Sequence, residues 1–168
     1  MAAKSLPGSV ARPFARGDRR LAESHMTDTS HAAGRRLAGT VLTSRSGPSP
    51  DATATATAAS DAYHDLTRVL APVIGDLGVA AMTNRAMHLA VRGYPWLPAR
   101  QPGAADTPFA QFIDALKRQE PAVATDAATA VFEAMLGLLA TFIGEPLTAR
   151  LVQQAWPDAF SSTDTEGT

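Results

Sequence analysis

The stretch Pro121–Gly144, PAVATDAATAVFEAMLGLLATFIG, leaves the rest of this 168-residue chain the least freedom. At 100° per residue, Val131, Phe132, Met135, Leu136, Leu138, Leu139, Phe142 and Ile143 fall on one broad apolar arc. Ala130, Ala134, Gly137 and Thr141 form a second stripe holding nothing larger than threonine. Only a narrow strip with Asp126, Thr129 and Glu133 is left for water. A helix of this kind needs cover on nearly every side, so the neighbouring segments are expected to be helices that supply it.

Composition agrees. Apolar residues make up 45% of the chain but aromatics only 6%, and alanine supplies much of the apolar share. Alanine is the best helix former, whereas strands prefer β-branched and aromatic residues. The fold expected is all-α, a small antiparallel bundle of four to five helices over residues 61–160. Residues 1–60 read as a disordered, basic, low-complexity leader, because no helical or strand period is sustained for two turns and Ser46–Ser60, SGPSPDATATATAAS, offers nothing bulky to bury. Met26 is a second candidate start within it. The tail, residues 161–168, reads as disordered too.

The formal net charge of −1 conceals an asymmetry. The first sixty residues hold eight basic against four acidic side chains, and the remainder seven against twelve. A basic arm on an acidic domain suits nucleic acid or anionic lipid. Its arginines are scattered and Phe14 is its one aromatic, so nucleic acid is disfavoured as a partner. The chain has no cysteine, which excludes disulfides, thiol catalysis and cysteine-held metals and fits a cytoplasmic location. Arg35-Arg36-Leu37 is not followed by an apolar segment, and the Arg-rich start is interrupted by Asp18 and Glu23, so neither a signal nor a transit peptide is expected. The longest apolar run, Ala134–Ile143, is far short of the ~18 residues of a membrane span, and no membrane is expected.

Taken in order, Ser60 or Asp61 caps the first expected helix, with Tyr63, Leu66, Val69, Leu70, Val73 and Ile74 on one face and Pro72 bending or ending it. Gly75-Asp76-Leu77-Gly78 reads as a tight connection. A second helix, about Val79 to Arg92, turns Val79, Met82, Ala86, Leu89 and Ala90 inward, and Gly93 ends it. Tyr94–Pro98 is extended and Arg100–Asp106 a loop. Thr107 caps a third helix with Pro108 at its first position and Phe109, Phe112, Ile113 and Leu116 inward. Pro121 closes that helix and opens the central one. Glu145-Pro146 opens the last, with Leu147, Leu151, Val152 and Ala155 inward until Trp156-Pro157, and Phe160 is placed to pack behind it. The segment Leu70–Leu97, LAPVIGDLGVAAMTNRAMHLAVRGYPWL, resembles short uncharacterised helical proteins of GC-rich bacteria, a resemblance that extends to Gly144–Leu151. It implies no activity and transfers no site residues.

Signature motifs are absent: no P-loop, G-x-G-x-x-G, G-x-S-x-G, H-E-x-x-H or EF-hand loop. The most distinctive polar feature is Asn84, Arg85, His88 and Arg92, which share one helix face and suit a phosphate, a carboxylate or a partner. The plainer reading is a solvated face pairing with Asp126 or Glu133. His88 invites comparison with histidine-phosphotransfer bundles, but Arg92 and Gly93 follow at +4 and +5 where that pattern has +3 and +4. Asp61-x-x-His64 has the i, i+3 spacing of di-iron bundles without their second pair, so Asp61 reads as a cap and no metal is expected. His25 and His31 sit in the leader and enter no constellation. Tyr94 and Trp96 form either a recognition segment or, as favoured, a lid on the bundle's open end. The expected function is a non-enzymatic interaction or regulatory module, without cofactor, acting on an unknown protein partner or as a homodimer. Histidine phosphotransfer through His88 and nucleic-acid association through the arm are the alternatives.

Overall fold

A computed structural model describes residues 16–98 and 106–161, with side chains from residue 31 onward. Among the described residues the fold is all-α, with helices α1 (Arg16–Ser46), α2 (Ala52–Ala90), α3 (Pro108–Leu116), α4 (Pro121–Ile143), α5 (Glu145–Ala155) and the short α6 (Asp158–Ser161). As expected, α4 lies at the centre. Its Val131, Phe132, Met135, Leu136 and Leu139 are buried, and α1, α2, α3 and α5 all pack on it.

The expected leader does not extend to residue 60. Residues 1–15 lie outside the described part, but α1 places Ala38, Val41 and Leu42 in the core, and α2 begins at Ala52 rather than at Ser60. Its cap is Asp51, whose carboxylate accepts from the Ala54 amide at 2.6 Å, and not Asp61, which is exposed. The alanine–threonine run after it is an efficient helix surface. Ala52, Thr55, Ala56, Ala58 and Ala59 are buried. Small side chains allow a close approach to α4, across which the Thr55 and Thr125 hydroxyls meet at 3.3 Å.

Pro72 does not end its helix, which runs on to Gly75. There φ is 74° and ψ 162°, a region essentially restricted to glycine. The chain reverses at this residue, because the Thr83 hydroxyl donates to Tyr63 Oη at 3.3 Å, whereas twenty residues of straight helix would hold the two ~30 Å apart. Gly144, at φ 84° and ψ 153°, makes the same kind of reversal between α4 and α5. The two helix–glycine–helix units lie side by side. Thr55 neighbours Thr125, and seven residues further along both helices the Trp156 indole donates to the Ala62 carbonyl at 3.1 Å and meets the Phe132 ring edge-on at 5.9 Å. The first half of α2 therefore runs in the same direction as α4, and α1 runs against α4, with its Gly34 beside Leu136 and its Arg35 reaching back to Asp126.

The third helix begins as its sequence indicates, with the Thr107 hydroxyl accepting from the Ala110 amide and Pro108 in the first turn. Phe109, Phe112 and Leu116 are buried, and Tyr63 stacks on Phe109 at 3.7 Å. This helix closes at Leu116, before Pro121. Three side chains expected to pack lie outside, namely Val73 (47% exposed), Phe142 (86%) and Leu147 (40%). Val73 precedes the Gly75 reversal, and the other two flank the Gly144 reversal, where among the described residues no further helix covers them. The loop expected at residues 100–106 falls mostly outside the described residues, as do residues 162–168 of the tail.

Candidate functional site

Three elements leave a gap over the second face of α4. The small-residue stripe Ala130, Ala134, Gly137 and Thr141 forms its floor, Leu89 and Ala90 at the end of α2 with Gly93 and Tyr94 just after it form one wall, and His31 of α1 stands at the other. The groove holds about 460 Å³ and opens broadly to solvent. It exists because these floor residues carry almost no side chain, so that α4 is approached by its neighbours but not filled in. The four residues span 11 positions, ~16 Å of helix. At Gly137 a methyl group would meet only the His31 Cε1 atom, at 3.7 Å. A second hollow of about 470 Å³ continues beyond His31, between α1, α4, α5 and Phe160.

One cluster of polar groups edges the groove. The Arg35 guanidinium donates to Glu133 at 3.2 Å and to Asp126 at 3.4 Å, and His31 Nδ1 stands 3.8 Å from Glu133. The hydrogen bond to Glu133 holds the arginine above its ordinary ionisation, opposed by partial burial and helped by the charges of Glu133 and Asp126 and by the Tyr94 hydroxyl. Arg35 is therefore charged at any pH at which the fold is handled. Glu133 has its charge matched.

That arrangement decides the state of the arginine–histidine stripe. On the second half of α2, Arg85 and His88 are exposed and Asn84 is half-buried, and Arg92, in the turn just past the helix end, is exposed too. The expected pairing with Asp126 or Glu133 is not made, since Arg35 occupies both carboxylates. Among the described residues no ion pair forms at Arg85, His88 or Arg92. Tyr94 and Trp96 follow in a turn, half-buried and packed edge-on at 6.2 Å, with Leu97 buried beneath. Tyr94 lines the groove, whereas Trp96 does not.

Sequence reasoning missed His31 and Arg35, having set the whole leader aside. A signal was present in Gly34, Leu37, Ala38, Val41 and Leu42, which follow a helical spacing over two turns. Asp61 and His64 are both exposed, and among the described residues no group of three histidine or carboxylate side chains converges as a metal site would require. In comparisons with known proteins, no family model, no curated protein and no solved structure matches the chain.

Proposed function

We propose that this chain is a non-enzymatic interaction module, acting in the cytoplasm, that receives one helix of a protein partner in the groove over α4. The observation that carries the reading is the groove itself, an open channel with walls from two helices and a floor of alanine, glycine and threonine. A floor without bulk lets the side chains of an incoming helix reach close to the α4 backbone, which is the geometry of helix-in-groove recognition. Its lining is mostly apolar, and its one carboxylate, Glu133, is already paired.

Selection from a display library of amphipathic helices tests this. Binders to the wild-type chain are expected to lose binding to Gly137→Leu, which fills the floor, and to Thr141→Leu, which does so from an exposed position. Circular dichroism of both variants separates a blocked groove from a lost fold. Binders indifferent to both folded variants would place the interaction elsewhere.

A second reading keeps phosphotransfer through His88, because that imidazole is exposed on α2, three residues after Arg85 and four before Arg92 of the following turn. It predicts acid-labile labelling by a small phosphodonor that disappears in His88→Gln. Retention of label in that variant excludes it. Association with nucleic acid through the arm is weakened as a reading, since Arg35 and Arg45 are engaged with Glu133, Asp126 and Asp65.

A further inference from the structure

The groove has an electrically uneven rim, and this names the class of helix that fits it. Arg85 lies on α2 and Arg92 two residues past its end, in a turn whose Tyr94 amide still donates to the Ala90 carbonyl, so the seven residues between them advance ~10 Å of near-helical chain. At 100° per residue they point within ~20° of each other, and Leu89, which lines the groove, follows ~40° further round. His88 stands on the far side of the same stripe. Neither arginine lines the groove itself, but both exposed guanidiniums stand on the surface flanking Leu89 and Gly93, which do, and among the described residues neither has a carboxylate of its own chain in ion-pair reach. On the opposite rim Glu133 is offset by Arg35. The groove therefore presents an apolar floor beside unbalanced positive charge.

We infer that the occupant is an acidic amphipathic helix, with an apolar seam against Ala134 and Gly137 and carboxylates seven residues apart on the flank facing Arg85 and Arg92. The inference rests on the groove reading above. Matching comes from the repeat of the α-helix itself, because carboxylates at i and i+7 on a helix running alongside α2 recur at the same interval as the two arginines. Arginine rather than lysine suits the task, since its planar fork takes a carboxylate through two parallel hydrogen bonds. The apolar lining favours such a helix over RNA, whose phosphates would use the arginines but leave the floor empty.

The test uses the full chain and a library of helical peptides, each roughly 18 residues long with a fixed leucine–alanine seam and randomised flanks, spanning about five turns. Enrichment of aspartate or glutamate at i and i+7 on one flank is the expected result. The double variant Arg85→Glu/Arg92→Glu should weaken those peptides on the order of tenfold or more, and added salt should weaken them for the wild type. These surface substitutions leave the fold intact, which circular dichroism verifies. Enrichment without charge bias, or of basic flanks, overturns the acidic class, while continued blockage by Gly137→Leu would show that the groove is still the site. Loss of all selection overturns both. Binding of a single-stranded RNA probe that the double arginine variant abolishes and Gly137→Leu leaves unchanged would also overturn the inference.

Discussion

A methyl group added to Gly144 and one added to Gly137 have opposite consequences. Gly144 sits at φ 84° and ψ 153°, where a side chain strains the backbone by ~1–3 kcal/mol even though space is available. Gly137 lies inside α4 without a positive φ, and its added methyl would make an ordinary contact with His31. Gly144→Ala is therefore expected to destabilise the fold, and Gly137→Ala to stabilise it by roughly 0.5–1 kcal/mol through helix propensity. Urea unfolding followed by circular dichroism reads both signs; equal shifts in one direction would refute the assignment of the reversal. Trp156 sets a third residue-level expectation. It is fully buried, bonded to the Ala62 carbonyl and packed on Phe132, so Trp156→Ala should cost ~3–5 kcal/mol. The sequence suggested for this tryptophan only a helix stop, because proline follows it and nothing local reveals a partner ninety-four residues away.

At the scale of elements, α4, the start of α3 and the reversals at Gly75 and Gly144 were legible, each from local chemistry: an apolar arc, a threonine cap before proline, a glycine at a junction. What escaped is made of small residues. The Ala–Thr run opening α2 and the Gly34–Leu42 part of α1 bury little area per residue and look like linker, yet small side chains pack by proximity of backbones rather than by bulk. The groove was half legible, since its floor stripe was visible in α4 but its walls required knowing where α1 and the end of α2 lie. Leu42, 1% exposed on α1, provides the decisive test. A leucine in an unstructured leader would lose nothing on truncation, whereas Leu42→Ala here is expected to destabilise the domain by ~2–5 kcal/mol. Removal of residues 1–60 should likewise prevent cooperative unfolding of the remainder.

The molecule as a whole is placed between two solvents by its two long apolar helices. Residues of α2 and α4 form 18-residue windows with mean hydropathy 1.3 and 1.5, long and apolar enough to cross a membrane. In α2 every such stretch that avoids Gly75 contains Asp61, Asp65 and Arg68. A span with only two charges would thus have to run through the residue at which the helix reverses and brings Thr83 back to Tyr63, and would carry Asp76 beside it. Asp65 is moreover tied to Arg45 at 2.7 Å and to Arg68 at 3.1 Å, so α1 would have to leave with it. In α4 the apolar arc is spent on the core, where Phe132, Met135 and Leu139 are buried against the other helices. Among the described residues, four of the five exposed large apolar side chains instead gather at the reversals, Val73 and Leu77 around Gly75 and Phe142 and Leu147 around Gly144, the fifth being Val123 in the first turn of α4. The equal offset of the two units puts both reversals at one end of the bundle. The chain is therefore expected to fractionate with aqueous protein after cell lysis without detergent, and Leu77→Ser/Phe142→Ser to change its stability by no more than ~0.5 kcal/mol, as substitutions at exposed sites do. Recovery only in detergent, together with a large loss of stability in the double variant, would mean that the apolar faces of α2 and α4 are turned outward toward lipid.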